Sequence, residues 1–392
     1  MLYQVNYQNF FSFKELNSLH LAVNKKSPDT EKYFFDKTGK KLAKVQGVFG
    51  YNASGKTNAL KAVSFLRFLI LSAYVEDPEK KISVLPFKFT KGNEKATELS
   101  VVFSVEKDIY DYKISLADGK IANEVLKKKA FGKKRFSTLF ERTLIGKKYI
   151  LKDKTKLGFK EDDARAQRTN ASIMATALRD GHEEITKIAA FWRSVHSNVV
   201  HSGKQDFEYL NTLKAAVFFL KNKNLKEVAE NMLTKFDLGL SGVDIQEVED
   251  DDGDKAVSIK GVHNKYKLPF DFESAGTKKF FHILSNILPA LDSGGVVVFD
   301  EFDSDLHPIM AEEVLNLFFS PETNPHNAQF IFSAHHASLL NILDKYHITL
   351  TEKNAKGESE SWRLDEMKGL RPDDNYYLKY ITGAYGAVPD FK

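Results

Sequence analysis

Cysteine is absent from the 392 residues of this chain. Disulfides, thiolate zinc sites, iron–sulfur clusters and cysteine nucleophiles are excluded together, and a cysteine-free chain suits a reducing cytoplasm. Long apolar runs are missing as well. The most apolar stretch, Phe65-Leu66-Arg67-Phe68-Leu69-Ile70-Leu71, is short and carries an arginine, so it reads as a buried helix with no membrane association. The start, Met1-Leu2-Tyr3-Gln4-Val5-Asn6, lacks the basic-then-apolar layout of a signal peptide, and a cytoplasmic location is expected. Charge of one sign is scarce: the net is only +4, so the molecule as a whole does not advertise nucleic-acid binding. Apolar spacing near 3.6 in residues 170–178, 185–192 and 225–233 predicts helices too short for a coiled-coil arm. The acidic turn Glu249–Asp254 lacks calcium-loop spacing, with Val248 at the first ligand position and Lys260 at the twelfth; it reads as a solvated hairpin tip.

What is present starts at Gly50-Tyr51-Asn52-Ala53-Ser54-Gly55-Lys56-Thr57, which fits G-x-x-x-x-G-K-[ST]. Lys44–Phe49 before it reads as a buried strand, and Asn58–Leu66 after it has helical apolar spacing. Strand, glycine loop and helix are the context in which backbone N–H groups converge on a phosphate at a helix N-terminus. Asn52, Ala53, Ser54 and Gly55 would line the cradle, Lys56 would reach the β- and γ-phosphates, and the Thr57 hydroxyl would face Mg²⁺. A nucleoside triphosphate, ATP with Mg²⁺, is the implied ligand.

Two further apolar runs end in polar residues. Gly295–Phe299 leads to Asp300-Glu301 and reads as a central parallel strand buried on both faces. Ligand sites in open α/β sheets lie off the carboxyl ends of strands, where Asp300 would hold Mg²⁺ and Glu301 would polarise the attacking water. Gln329–Ser333 leads to Ala334-His335-His336, where His335 is either a γ-phosphate sensor or a structural histidine, and His336 is the lesser candidate. A small turn, Glu273-Ser274-Ala275-Gly276-Thr277, opens another helix and offers a second anion-binding N-terminus in Ser274 and Gly276. The phosphates are already cradled by the first loop, so this turn is expected to complete the site of a partner subunit, as in ABC-type ATPases. Asp303-Ser304-Asp305-Leu306-His307-Pro308, with Asp305 at its centre, would link the two sites.

The remaining chain supplies context. Residues 2–23 and 84–151 read as strands, with period-two alternation and an Ala117–Lys120 turn arguing an antiparallel sheet that includes Val84–Phe89. Asn9-Phe10-Phe11-Ser12-Phe13 is either an aromatic near a nucleotide base or a packed strand end. Lysines and arginines gather from Lys127 to Lys156; this is either a surface for nucleic acid or an acidic partner, or a set of solvated hairpin tips. The expected organisation is an N-terminal ATPase lobe with an antiparallel β subdomain (1–159), an inserted helical subdomain (160–242) and a C-terminal ATPase lobe (243–392).

The ordered set — the 50–57 loop, Glu273–Thr277, Phe299–Glu301, Asp305–Pro308, Ser333–His335 and the ending Leu370–Asp373 with Tyr380–Pro389 — resembles the ABC-class AAA-family ATPases of bacterial anti-phage and abortive-infection operons. AbiL-type, RloA-like and AriA-like proteins belong there, relatives of the RecF, SMC and OLD ATPase heads. The resemblance implies an α/β ABC-type P-loop ATPase head that forms a homodimer or higher oligomer around ATP and controls an effector nuclease or toxin encoded beside it. Departures are the Ser-Ala-Gly-Thr signature in place of Leu-Ser-Gly-Gly, a Q-loop glutamine with only Gln167 as candidate, and a tail after His335 too short for a Toprim nuclease domain. The alternative is a RecF/SMC-like ATPase binding DNA through residues 127–156. A metabolic NTPase or kinase would need an acceptor site, and no motif supplies one.

Overall fold

The computed structural model describes residues 1–89, 95–154, 157–159, 163–200, 203–204, 209–235, 239–249, 255–371 and 374–389. Two sheets share the central helix Lys56–Leu71. One is seven-stranded and antiparallel, in the spatial order Lys148–Asp153, Ser137–Ile145, Lys120–Lys129, Asp108–Ala117, Thr97–Val105, Leu2–Gln8, Asn17–His20. The other has six strands in the order Val195–Ser197, Val296–Phe299, Gln329–Ser333, Val45–Phe49, Ile348–Lys353, Ser359–Arg363. All neighbours in it are parallel except the last pair.

The parallel sheet is apolar on both faces because period-two side chains alternate between two cores. Val48, Val296, Val298 and Ile331 face the helix Lys56–Leu71 and, beyond it, the antiparallel sheet. Val45, Phe49, Val297, Phe299, Phe330 and Phe332 face the helices Ala275–Ser293 and Pro308–Phe319. A continuous hydrophobic strand is therefore two interleaved half-patterns. The carboxyl ends of the strands ending at Phe49, Phe299 and Ser333 come out side by side, which is what gathers the chemistry.

Several local expectations change. Val84–Phe89 is an irregular strap, not a strand. Pro86 has no N–H to give a ladder, and the segment is held by single bonds, Phe11 N–H to the Leu85 carbonyl (2.7 Å) and Phe87 N–H to Asn9 Oδ1 (3.0 Å). The helix sought from Asn170 starts at Ile173, where the Ser172 hydroxyl caps it by accepting from Ala175 N–H at 2.9 Å. Residues 160–242 do not pack as one insert. The helices Ile173–Arg179 and Glu183–Arg193 join the core of the antiparallel sheet, whereas Tyr209–Lys221 and Lys223–Lys235 join the core of the signature-turn helix. Between them Val195–Ser197, three residues that carry no strand signature, extends the parallel sheet at its edge. The acidic residues 250–254, Lys156 and Pro372-Asp373 lie outside the described residues.

Among the basic residues 127–156, Arg142 is not a surface cation. It is fully buried, 2.8 Å from the equally buried Glu124, and it also donates to the carbonyls of Ala166, Arg168 and Ala171. Glu124 in turn accepts from the first amides of the helix Ile173–Arg179, at 2.9 Å from Ile173. The pair thus bolts the helix to the sheet. Arg142→Met leaves a buried carboxylate without its cation and is expected to lower stability by about 3–5 kcal/mol, read as a shift in the urea midpoint at constant slope.

Candidate functional site

The loop between strand and helix at 50–57 has a backbone that its residue types make possible. Gly50 has φ +153° and Gly55 φ +125°, and a Cβ at either would lie within 3 Å of Thr351 or Ser359 atoms. The loop is fastened to the neighbouring strand Ile348–Lys353. Ser54 Oγ meets Thr351 Oγ1 at 2.7 Å, and the Tyr51 hydroxyl donates to the Lys353 carbonyl at 2.7 Å while accepting from its N–H. Lys56 Nζ donates to the carbonyls of Gly50 (2.7 Å) and Tyr51 (3.2 Å) within the loop. Burial pushes the Lys56 ammonium below its ordinary pKa, against the pull of Asp300, Glu301 and Asp303.

A cleft of about 450 Å³ opens over this loop, lined by Asn52, Ala53, Gly55, Lys56, Thr57, Glu301 and His335, joined by Asn58, Lys61 and Lys353. Asp300 lies beneath, buried, its Oδ2 accepting from Thr57 Oγ1 at 2.7 Å. Ser333 Oγ donates to the other oxygen of Asp300 and accepts from the Glu301 N–H at 2.8 Å. Asn198 clamps the Asp300 backbone on both sides, donating to its carbonyl at 2.9 Å and accepting from its N–H at 2.8 Å. Glu301 sits at φ +47°, a conformation that costs a non-glycine residue about 1–3 kcal/mol and is held here by these bonds. Its Oε1 is 3.0 Å from His335 Nε2.

Ser274 and Gly276 do not line this cleft, nor does Asp305. They are together elsewhere. Ser274 caps the helix Ala275–Ser293 by accepting from Thr277 N–H at 3.0 Å, and a Cβ at Gly276 would be 2.9 Å from the Asp305 carbonyl. Lys279, one turn on, donates to Ser304 Oγ at 2.9 Å, and Ser304 donates to the Glu301 carbonyl at 3.0 Å. The signature turn is therefore bonded through the 303–305 loop to the residue opposite His335.

Sequence reasoning missed Asn198, Thr351, Lys61 and Lys353, and it named Asp303 and Ser333 within motifs without giving either a role. Asp303 is fully buried and accepts from the amides of His335 (2.9 Å) and His336 (2.6 Å), fixing where both histidines leave the strand. Its place in the linking loop pointed to the region, but not to this bonding. Gln167 is not a cleft residue: its side chain pairs with both backbone groups of Tyr149, at 2.8 and 3.1 Å, beside the antiparallel sheet. Phe10 and Phe13 are fully buried, the packed strand end, while Phe11 is partly exposed with Lys61 Nζ 4.2 Å from its ring centre.

The donor set fits a magnesium–triphosphate. Mg²⁺ is a hard cation that takes one or two protein oxygens and completes its shell from phosphates and water, and Thr57 with Asp300 offers such a pair. Among the described residues no cluster of three or more His, Asp or Glu could hold a metal without the phosphates.

Residues 46–341, about three quarters of the chain, match the family model described as "AAA domain, putative AbiEii toxin, Type IV TA system". The chain belongs to this AAA-domain family. No curated protein matches it. Among solved structures it is similar to the SMC head bound to the C-terminal winged-helix domain of ScpA, at 15% identity and a TM-score of 0.51, with 93% of this chain and 98% of that one covered. It also matches the SMC head domain of Thermotoga maritima, at 14% identity and a TM-score of 0.42, with 92% of this chain and 98% of that one covered. A third match is an SMC head with extended coiled coil bound to the C-terminal domain of ScpA, derived from Pyrococcus furiosus, at 14%, 0.44, 93% and 98%. The first of these shows the fold, that of an SMC head domain. No helix among the described residues is long and apolar enough to cross a membrane.

Asp303→Ala would take the shared acceptor from the part-buried amides of His335 and His336, at a cost of about 1–3 kcal/mol. Expected are a lower urea midpoint and a loss of whatever nucleotide turnover the parent shows, with Asp303→Asn recovering part of the stability.

Proposed function

We propose that the chain binds and slowly hydrolyses ATP, and that two copies close on ATP·Mg²⁺ to control a toxic effector, a nuclease or toxin, in an anti-phage system. The observation that carries the ATPase part is the cleft in which Lys56, Thr57, Glu301 and His335 converge above Asp300. Thr57 and Asp300 would hold Mg²⁺, which, when bound, neutralises charge on the transferring phosphoryl group. Lys56 would exchange its loop carbonyls for β- and γ-phosphate oxygens. Glu301, oriented by His335, would accept the proton of the attacking water, and His335 would then face the γ-phosphate side.

The closed dimer is supported by the position of Ser274 and Gly276 outside their own cleft, next to Asp305. In the partner's site they would supply a helix N-terminus to the γ-phosphate. The chain of bonds from Lys279 through Ser304 to Glu301 would let closure reach the water-activating carboxylate. The effector role rests on the resemblance to abortive-infection ATPases and on the toxin wording of the matching family's description. A second reading, a RecF/SMC-like ATPase acting on DNA, draws on the eight lysines and arginines that remain between residues 127 and 148 once the buried Arg142 is set aside, against one glutamate, in a chain of net charge +4.

Lys56→Ala is expected to abolish ATP binding in a calorimetric titration. Glu301→Gln is expected to slow hydrolysis by about 10²–10⁴ while retaining ATP and shifting the chain toward a dimer in light scattering. Hydrolysis by Glu301→Gln at the parental rate would remove Glu301 from its role, and ATP-independent association would remove the shared site.

A further inference from the structure

The basic stretch 127–148 is continuous in sequence and divided in space. Successive antiparallel turns lie at opposite ends of a sheet, so the tip at 130–136 and the turn at Gly146-Lys147 are separated by the strand Ser137–Ile145, roughly 30 Å at a strand's rise. Lys128 is used internally, paired with Asp108 at 2.8 Å and Glu184 at 2.6 Å. What remains at the first tip is a compact set: Lys129, Lys133, Lys134 and Arg135, with Lys107 from the neighbouring turn. The two turns are tied together by the Phe131 N–H donating to Asp108 Oδ1 at 2.8 Å.

On this tip stand two large apolar side chains that belong to no core. Phe131 is 62% exposed and Phe136 42%. Lys107 Nζ lies 5.0 Å from the centre of the Phe131 ring and Lys129 Nζ 5.8 Å from that of Phe136. A single exposed phenylalanine needs no explanation. Two on one seven-residue tip, each with a lysine over its ring and no carboxylate among residues 129–140, set this tip apart, although Asp108 of the neighbouring turn is bonded to Phe131 N–H. Cations spaced around solvent-facing rings match a ligand that alternates phosphates with flat aromatic faces. In duplex DNA those faces are covered by their neighbours; in a single strand they are free.

We propose that the tip 129–136, with Lys107, is a binding site for single-stranded nucleic acid, Phe131 and Phe136 stacking on bases and Lys129, Lys133, Lys134, Arg135 and Lys107 contacting phosphates. The lysines now over the rings would move aside to the backbone as bases take their place. The inference deepens the DNA-acting reading and rests on it only for the ligand's class, not for its form.

The test uses the full chain and fluorescence polarisation with a labelled oligothymidylate, and with a duplex of equal length. The parent is expected to bind the single strand more tightly than the duplex. Phe131→Ala with Phe136→Ala should weaken single-strand binding by about thirtyfold or more, as loss of two stacked bases does, leaving the salt slope in place. Lys133→Glu, Lys134→Glu and Arg135→Glu together should lower the salt slope by about 2. Lys147→Glu with Lys148→Glu, at the far end of the sheet, should change neither. The tip is overturned if the double phenylalanine variant binds like the parent, if the far-end pair weakens binding as much as the tip does, or if an acidic polypeptide displaces the strand as well as the unlabelled oligonucleotide. Preferential duplex binding that ignores both phenylalanines would overturn the tip while keeping the DNA-acting reading; no binding of either form would remove both.

Discussion

Asp300 is where the molecule's constraints meet. Its carboxylate is shared between the hydroxyl of Thr57, at the start of the central helix, and that of Ser333, at the end of the next strand, and its backbone is held from the sheet edge by Asn198. Four segments far apart in sequence are thereby brought into register around one buried anion. Such a group is tolerable in a low-dielectric interior because every donor around it is a positioned hydroxyl or amide. The same contacts leave Glu301 no ordinary backbone conformation, and they aim its side chain at His335.

The two cores follow from the same arrangement. A strand that must end in a site residue on the sheet's rim has both faces covered, so its side chains alternate between the helix behind the phosphate loop and the helices behind the signature turn. Displacement of either layer is felt at the strand ends. The signature turn is thereby connected to the cleft through the helix capped by Ser274, the Lys279–Ser304 bond and the loop that Asp303 anchors to the two histidines.

Much of this is legible in the sequence. The glycine loop, the Asp-Glu strand and the strand ending in His335 are local patterns whose chemistry depends on residue type and near neighbours. The parallel, doubly buried character of the two strands showed in their unbroken apolar runs. Arg142 and Gln167 were illegible for the opposite reason. One looks like another surface cation and the other like a free glutamine, and only their neighbours from distant segments make them an internal bolt and a backbone clasp. Val195–Ser197 is too short to announce itself and becomes a strand because Val296–Val298 offers it an edge.

By itself, then, the order of residues determined the glycine loop between strand and helix and the acidic strand end, since each is written within about ten neighbouring positions whose backbone geometry residue type dictates. Tertiary structure alone decided which hydroxyls hold Asp300, that Ser274 lies outside its own cleft, and that one run of lysines becomes two separate surfaces. Those outcomes depend on strand order and on the alternation of turns across a sheet, which bring together or part residues that the linear chain places without regard to distance.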